Sequence, residues 1–344
     1  MAVSNPHRSY ELARGEGLDA GLTRVAAGRA EKALERLRAS SAGEVATGGV
    51  QTGGAATGEV QTGEVATGGA ETGGAETGEA VHGARKDMKK LRTVLRLLRA
   101  ELGPKRYRRA DARIRDAGRA LAAGRDSEVK LVTLDSLAAD GDALPAEAVD
   151  AWRKILERDR AAAADAPSEA RAIGEAISLL EAGLEELNGW ELEGDRWKPV
   201  GAGLRRTHRR GRRAMEAARR DRGEADFHEW RKRTKDLWYE LRLLAPAWPG
   251  PLGAAAEEAH ALSEQLGDHH DLAVLREDLR ERNLGEAETA ALEAAISRRQ
   301  EELAAAALPL GRRLYAERPR EFSRRLHRYW QAWRFSEPEV GKGA

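Results

Sequence analysis

The chain has 344 residues and no cysteine, which excludes disulfides, thiolate catalysis and cysteine-ligated zinc. Aromatic residues make up 5% of it and charged residues 33%, with Ala, Leu, Arg and Glu dominant, a composition that favours helix over sheet. The net charge of +1 announces no polyanion partner, so any such partner must be read from how the charges are distributed.

The N-terminus, MAVSNPHRSYELARGEG, lacks an apolar signal core, and nowhere do eighteen apolar residues run together. Neither a signal peptide nor a membrane span is expected, and a cytoplasmic protein is. After a helix over 20–40, residues 43–77 divide into seven pentapeptides, GEVAT, GGVQT, GGAAT, GEVQT, GEVAT, GGAET and GGAET. They contain almost no large apolar side chain to offset ordering entropy, so the segment 43–80 is expected to be a disordered insert, with a stacked β-solenoid as the alternative. Helices follow over 81–102, 104–123, 126–139, 145–164 and 168–188, where Pro104, Pro145 and Pro167 sit near starts and their missing N–H costs nothing. A second series covers 203–221, 225–245, 250–266, 269–283, 286–307 and 310–334, broken by Pro246, Pro249 and Pro251, before a disordered tail at 337–344. No alternating strand pattern appears, so the fold class is all-α and strand-borne phosphate loops are excluded.

Beneath the insert lies a duplication. HGARKDMKKLRTVLRLL from His82 and HEWRKRTKDLWYELRLL from His228 share nine of seventeen positions at an offset of 146. Leu121, Arg125, Asp126 and Val129 then match Leu266, His270, Asp271 and Val274 at an offset of 145. Upstream, the string at Gly21 matches that at Gly203 at an offset of 182, and the excess of 36 is close to the length of the insert. Two tandem helical units are therefore expected, 1–200 carrying the insert and 201–336.

Charge is segregated along these helices. Arg85 to Arg99 holds seven basic residues against Asp87, and Arg205 to Arg222 nine against Glu216 and Asp221. Between Asp126 and Asp195, eighteen acids face six bases. At about 100° per residue, Arg85, Lys89, Arg92 and Arg96 fall in one narrow stripe beside His82, with Leu91, Leu95, Leu98 and Leu102 on the opposite side. The second copy repeats this with His228, Arg231, Lys235 and Arg242. Another stripe comprises Arg206, Arg209, Arg210, Arg213 and Arg220. A solvated helix face is the bland alternative, but solvated faces mix signs, whereas like charges at i,i+4 repel by about 0.2–0.5 kcal/mol each. A one-sign stripe kept in two copies points to a long anion. The matched histidines could instead make a hydrogen bond within the bundle. Within a cationic stripe they should be held neutral until an anion arrives.

H-x-x-R-x-x-x-K opening a helix, repeated once, with L-x-x-x-[RH]-D-x-x-V after each copy, resembles the conserved-histidine α-helical (CHAD) family. The resemblance covers nearly the whole chain outside 43–80. It implies two related helical bundles about a pseudo-twofold axis, with basic side chains lining a groove between them. It also implies binding of inorganic polyphosphate and association with polyphosphate granules. Carried over by position, the binding set is His82, Arg85, Lys89, Arg92 and Arg96 with His228, Arg231, Lys235 and Arg242, to which the third stripe adds Arg206, Arg209 and Arg213. No catalytic residue, metal ligand or cofactor is expected. Two departures bear on the first half-site: Ala122 stands where the second copy has Gly267, and the insert abuts His82.

Three rivals remain. A triphosphate-tunnel domain would need E-x-E-x-K, but Glu191-Leu192-Glu193-Gly194-Asp195 lacks the lysine and any β-rich surroundings. An HD-type phosphohydrolase would recruit His228, His260, His270 and Asp271 to metals, yet Arg125 occupies the position of His270, and a cation cannot replace a ligand. Asp126 and Asp271 are expected to cap helices or to orient arginines. Nucleic-acid backbone binding would need exposed aromatics, whereas Trp190, Trp197, Trp238, Trp248 and Trp333 are expected to pack between helices.

Overall fold

The computed structural model describes residues 9–335 apart from 49–68, 122–125, 140–143, 164–165, 191, 193–195 and 283–284. The described residues form α1 (Leu18–Gly48), α2 (Gly69–Ala120), α3 (Asp126–Ala139), α4 (Ala146–Ala163) and α5 (Ala166–Asn188). They continue with α6 (Trp197–Asp221), α7 (Glu224–Leu244), a 3-10 turn (Ala245–Ala247), α8 (Pro249–Glu281), α9 (Glu286–Leu314) and α10 (Pro319–Phe335), with no strand among them. The all-α class expected from composition and periodicity is the one observed.

Local chemistry explains most of the boundaries. Helix α2 is two arms, 69–102 and 104–120, joined at Gly103, whose φ of 70° and ψ of 166° lie outside the helical region. Pro104 bars the preceding residue from helical geometry, and only glycine takes a positive φ there without cost. The break falls where the sequence predicts it. Two other expectations fail. The helices expected at 250–266 and 269–283 are the single helix α8, because Leu266-Gly267-Asp268 contains no proline and Gly267 lies under the Arg231 guanidinium. Asp271 is consequently inside a helix and caps nothing. The break expected before residue 310 lies instead at Tyr315–Arg318, since α9 continues through Pro309 to Leu314. There the Arg318 backbone N–H donates to the Glu321 carboxylate at 3.1 Å, capping the next helix. Helices α1 and α2 also reach Gly48 and back to Gly69, inside the segment read as a disordered insert. The rest of that insert and the tail at 337–344 lie outside the described residues.

Two apolar clusters hold the helices. The larger draws on α1, α2, α5, α6, α7, α10, the first half of α8 and the end of α9. The smaller joins α3 and α4 to the last part of α8 and the first part of α9, around Trp152, Leu134, Leu275 and Ile296. It therefore takes side chains from both sides of residue 200. At its edge the buried carboxylate of Asp278 accepts hydrogen bonds from Lys130 at 2.5 Å and from Arg282 at 2.6 Å.

Leu91, Leu95, Leu98 and Leu102 are buried, as their spacing predicts, but Val94 and Leu97 are 0% exposed as well. Helix α2 is thus covered on two sides, by α1 and α5 and by α6 and α7. On the α1 side, Asp87 is buried among cations, with Arg29 at 3.0 Å, Arg36 at 3.4 Å and Lys90 at 3.7 Å. On the α6 side there is no room for a side chain at Gly203, where a Cβ would lie 2.7 Å from the Leu97 Cα and 3.1 Å from its carbonyl oxygen. Backbone cannot yield as a flexible side chain can. Gly203→Ala is therefore expected to destabilise the protein by about 1–3 kcal/mol in urea unfolding. Gly174→Ala, an exposed helical position with nothing within 4 Å of a Cβ, should instead stabilise by up to about 1 kcal/mol.

Candidate polyanion-binding site

The close approach of α2 and α6 brings arginines from three helices to one depression. Arg96 and Arg99 come from α2, Arg206 and Arg210 from α6, and Arg233 from α7, with Tyr107, Thr207 and Asp236 completing the wall. Five guanidiniums thus surround one carboxylate. Arg96 spans to Asp236 at 2.6 Å, tying α2 to α7. Arg233 is held between Asp236 at 2.9 Å and Glu229 at 2.7 Å, and Arg210 lies 3.8 Å from Glu229. The Arg99 guanidinium stands over the Tyr107 ring, 4.9 Å from its centroid.

Arg206 has no carboxylate within ion-pair distance among the described residues. Its pKa is lowered, first by desolvation and then by Arg99, partly offset by Tyr107, with Arg209 and Arg210 lowering it further. The pKa of Arg210 is lowered likewise by desolvation and then by Arg233. Both guanidiniums stay charged, but they sit in a field of like charge that an anion would relieve. A wider depression between α7 and α8 differs in kind. It mixes signs, with Arg276 on Glu224 at 2.8 Å and Arg280 on Glu293 at 2.6 Å, and so offers an anion little.

The histidine stripes are placed differently. On α2, Arg85 donates to the Leu121 carbonyl at 3.1 Å, and Arg92 is bidentate on Asp111 at 2.8 and 3.1 Å. His82 is half-buried and Lys89 exposed. On α7, Arg231 faces Asp271 at 3.8 Å, Lys235 faces Glu264 at 4.0 Å, and Arg242 lies over the Trp238 ring at 5.6 Å. Asp271 thus takes the second role expected of it, orienting an arginine. Arg209 and Arg213 are exposed on α6. Of the twelve residues expected from sequence, the depression gathers Arg96 and Arg206. Arg99, Tyr107, Arg233 and Asp236 were not anticipated. Arg99 was within reach, since at about 100° per residue it lies roughly 20° beyond Arg92 on the same wheel.

Rising numbers along α2 meet falling numbers along α7: Arg96 reaches Asp236, and Lys90 feels the charge of Arg242. His82 precedes Arg96 on α2 and His228 precedes Asp236 on α7, so on these antiparallel helices the two histidines lie towards opposite ends of that crossing. His228 instead packs against His270, ring centroids 3.9 Å apart. Its pKa is pushed down to about 4, chiefly by burial and then by His270, Lys232 and Arg231. His270 is also pushed down to about 4, by burial and then by Arg231. The lowering of the His228 pKa has burial ahead of neighbouring charge as its cause. His260 stacks on Trp238 at 4.1 Å, and among the described residues no three His, Asp or Glu side chains converge as metal ligands do. Trp248 departs from expectation, being 48% exposed with its ring edge-on to Tyr329.

A family model described as the CHAD domain matches residues 67–280, more than half of the chain. The chain belongs to the CHAD family. A search among curated proteins found no match. CHAD is a family associated with polyphosphate binding. The CHAD match takes in both histidine helices and every residue of the arginine depression, and leaves α1, α9 and α10 outside. No helix of the described residues is long and apolar enough to cross a membrane.

Under the CHAD depression lies a buried acid. Thr207 donates to Glu240 Oε1 at 2.7 Å, while Glu240 Oε2 has no partner among the described residues. Burial raises the Glu240 pKa well above its ordinary value, against the lowering effects of Thr207, Arg96 and Arg206. The folded state then holds a proton that the unfolded state releases in the usual carboxyl range. Stability conferred by that proton is complete at acid pH and declines as pH rises towards the folded pKa, by about 1.4 kcal/mol per pH unit. Glu240→Gln keeps an acceptor for Thr207 and removes the titration. Its melting temperature should match wild type near pH 4 and exceed it increasingly towards pH 8; a variant less stable at pH 8 would mean that Glu240 is ionised and paired.

Proposed function

We propose that this chain binds inorganic polyphosphate through the α2–α6–α7 depression and the basic helix faces around it, without acting on it chemically. The observation that carries this is the convergence of five guanidiniums on a site with a single carboxylate. Arg206 and Arg210 there are crowded by like charge. A flexible chain with one negative charge per phosphate relieves that repulsion at several points and releases counterions as it does so. Guanidiniums suit this task because their planar donor forks match phosphate oxygens. The neutral imidazoles of His228 and His270 can donate to a phosphoryl oxygen without prior protonation.

The duplication supports two related half-bundles, 1–200 and 201–336, about a pseudo-twofold axis. Position 96 is to position 236 as position 242 is to position 90 under the offset of 146, and the charges of both pairs act on each other. In one the charges attract, Arg96 with Asp236. In the other they repel, Lys90 with Arg242, and Lys90 is balanced there by Asp87 at 3.7 Å. A cytoplasmic location, including polyphosphate granules, fits a binder of this kind.

Competition of long polyphosphate against single-stranded RNA across several salt concentrations tests the proposal. Polyphosphate should displace RNA, and log K against log[salt] should fall with a slope of about 0.7–0.9 per phosphate engaged. Charge reversal of both Arg206 and Arg210 should lower that slope by about 2 while leaving helicity unchanged. Added magnesium or chelator should release no phosphate. Preferential retention of RNA would favour a nucleic-acid partner, and metal-dependent phosphate release would favour a hydrolase.

A further inference from the structure

On the histidine helices several arginines are already engaged, Arg92 with Asp111, Arg96 with Asp236 and Arg231 with Asp271. Six arginines on the outer faces of α6 and α10 are not. Arg209, Arg212 and Arg213 on α6, and Arg320, Arg324 and Arg328 on α10, are all exposed. None of the six has a side-chain ion pair or hydrogen bond among the described residues.

The α10 set forms a line. Its members are four residues apart, about 6 Å of helix rise each, and on the helical wheel they lie opposite the buried Phe322, Leu326 and Trp330. Nothing in the packing of α10 requires arginine there. Three like charges at i,i+4 repel, and no carboxylate on the same line offsets them, since Glu317 is taken by Arg325 at 2.6 Å and Glu321 caps the helix start.

Helix α10 rests directly on α6. Ser323 donates to the Gly201 carbonyl at 3.1 Å, and Phe322 stacks on His208 at 4.5 Å. Arg212 of α6 and Arg325 of α10 both act on His208, so each helix carries positive charge near that contact. Along the other flank of α6, Arg206 and Arg210 enter the depression. Helix α6 is thus the bridge between the depression and α10, two neighbouring ridges with axes about 8–10 Å apart.

Resting on the polyphosphate reading above, we infer that a long chain leaves the depression along α6 and continues across α10. The unpaired arginines of these two helices then confer a preference for long polyphosphate over short. A short chain such as tripolyphosphate fills the depression and ends there. A long one gains further contacts, each adding counterion release without altering the depression. Helix α10 lies outside the family match at 67–280, so this extension belongs to the chain beyond the matched region.

The test compares long-chain polyphosphate with tripolyphosphate on the full-length protein, by titration at two salt concentrations. The triple variant R320E/R324E/R328E should bind long polyphosphate at least about tenfold more weakly, with a salt slope lower by about 2, and bind tripolyphosphate as wild type does. R206E/R210E should lose both ligands. Circular dichroism and thermal melting establish that the triple variant is folded; the neutral R320Q/R324Q/R328Q, which removes charge without adding any, serves if it is not. Unchanged long-chain affinity in the folded variant, or equal weakening for both ligands, overturns the extension while leaving the depression as the site. A wild-type protein that binds neither ligand overturns the polyphosphate reading, and the extension with it.

Discussion

Where α6 crosses α2, Gly203 meets the backbone of Leu97, and the absence of a side chain there sets how closely the two helices lie. Much of the functional surface follows from that approach. Because the backbones nearly touch, guanidiniums projecting from either side of the crossing share one depression instead of lying on separate surfaces. The Arg96–Asp236 ion pair at 2.6 Å then joins the third helix to the same junction. Beneath it lies Glu240, hydrogen-bonded to Thr207, whose pKa burial raises well above its ordinary value, which disfavours a negative charge that would cancel part of the field. Close packing and electrostatics are one arrangement here, since widening the crossing would disperse the cations.

A net charge of +1 conceals this because compensation is local. Asp87 is enclosed by Arg29, Arg36 and Lys90, Asp278 is shared by Lys130 and Arg282, and Glu186 takes both Arg109 and Arg113. These carboxylates serve the joints between helices, and charges paired within joints contribute little field at the surface. The acid-rich stretch after Asp126 is largely carried by α3, α4 and α5. Of these, α3 and α4 pack on α8 and α9 in the smaller core, while α5 packs on α1 and α2. Among the exposed cations without a partner in the described residues are Arg209, Arg212 and Arg213 on α6 and Arg320, Arg324 and Arg328 on α10.

The imidazoles illustrate how burial and charge divide the work. His208, His228, His269 and His270 are each pushed down to about 4, and in every case burial leads. His208 and His269 are packing groups, stacked on Phe322 and Phe227. His228 and His270 are only half-buried and lie beside Arg231 and Lys232, so an anion bound next to them would favour their protonation. Charge would then be added at the site only when a ligand occupies it.

Periodicity alone determined the helical class, the leucine side of α2 and the break at Gly103-Pro104, because each follows from interactions within one helix or one dipeptide. The internal repeat likewise pointed to His82 and His228 as matched positions, and the motif they open pointed to the family. Tertiary structure decided which cations are available. A helical wheel assigns one buried side, yet α2 is covered on two sides and α7 on more than one. Arg233, on the leucine side of α7, therefore lines the depression, while Arg92 on the predicted stripe is bound to Asp111. The continuity of α8 across Gly267 was hidden for the same reason, since the Arg231 guanidinium that covers that glycine comes from another helix. Sequence records which side chains are charged; whether a charge is spent within the fold or left for a ligand depends on the partners that distant segments bring to it.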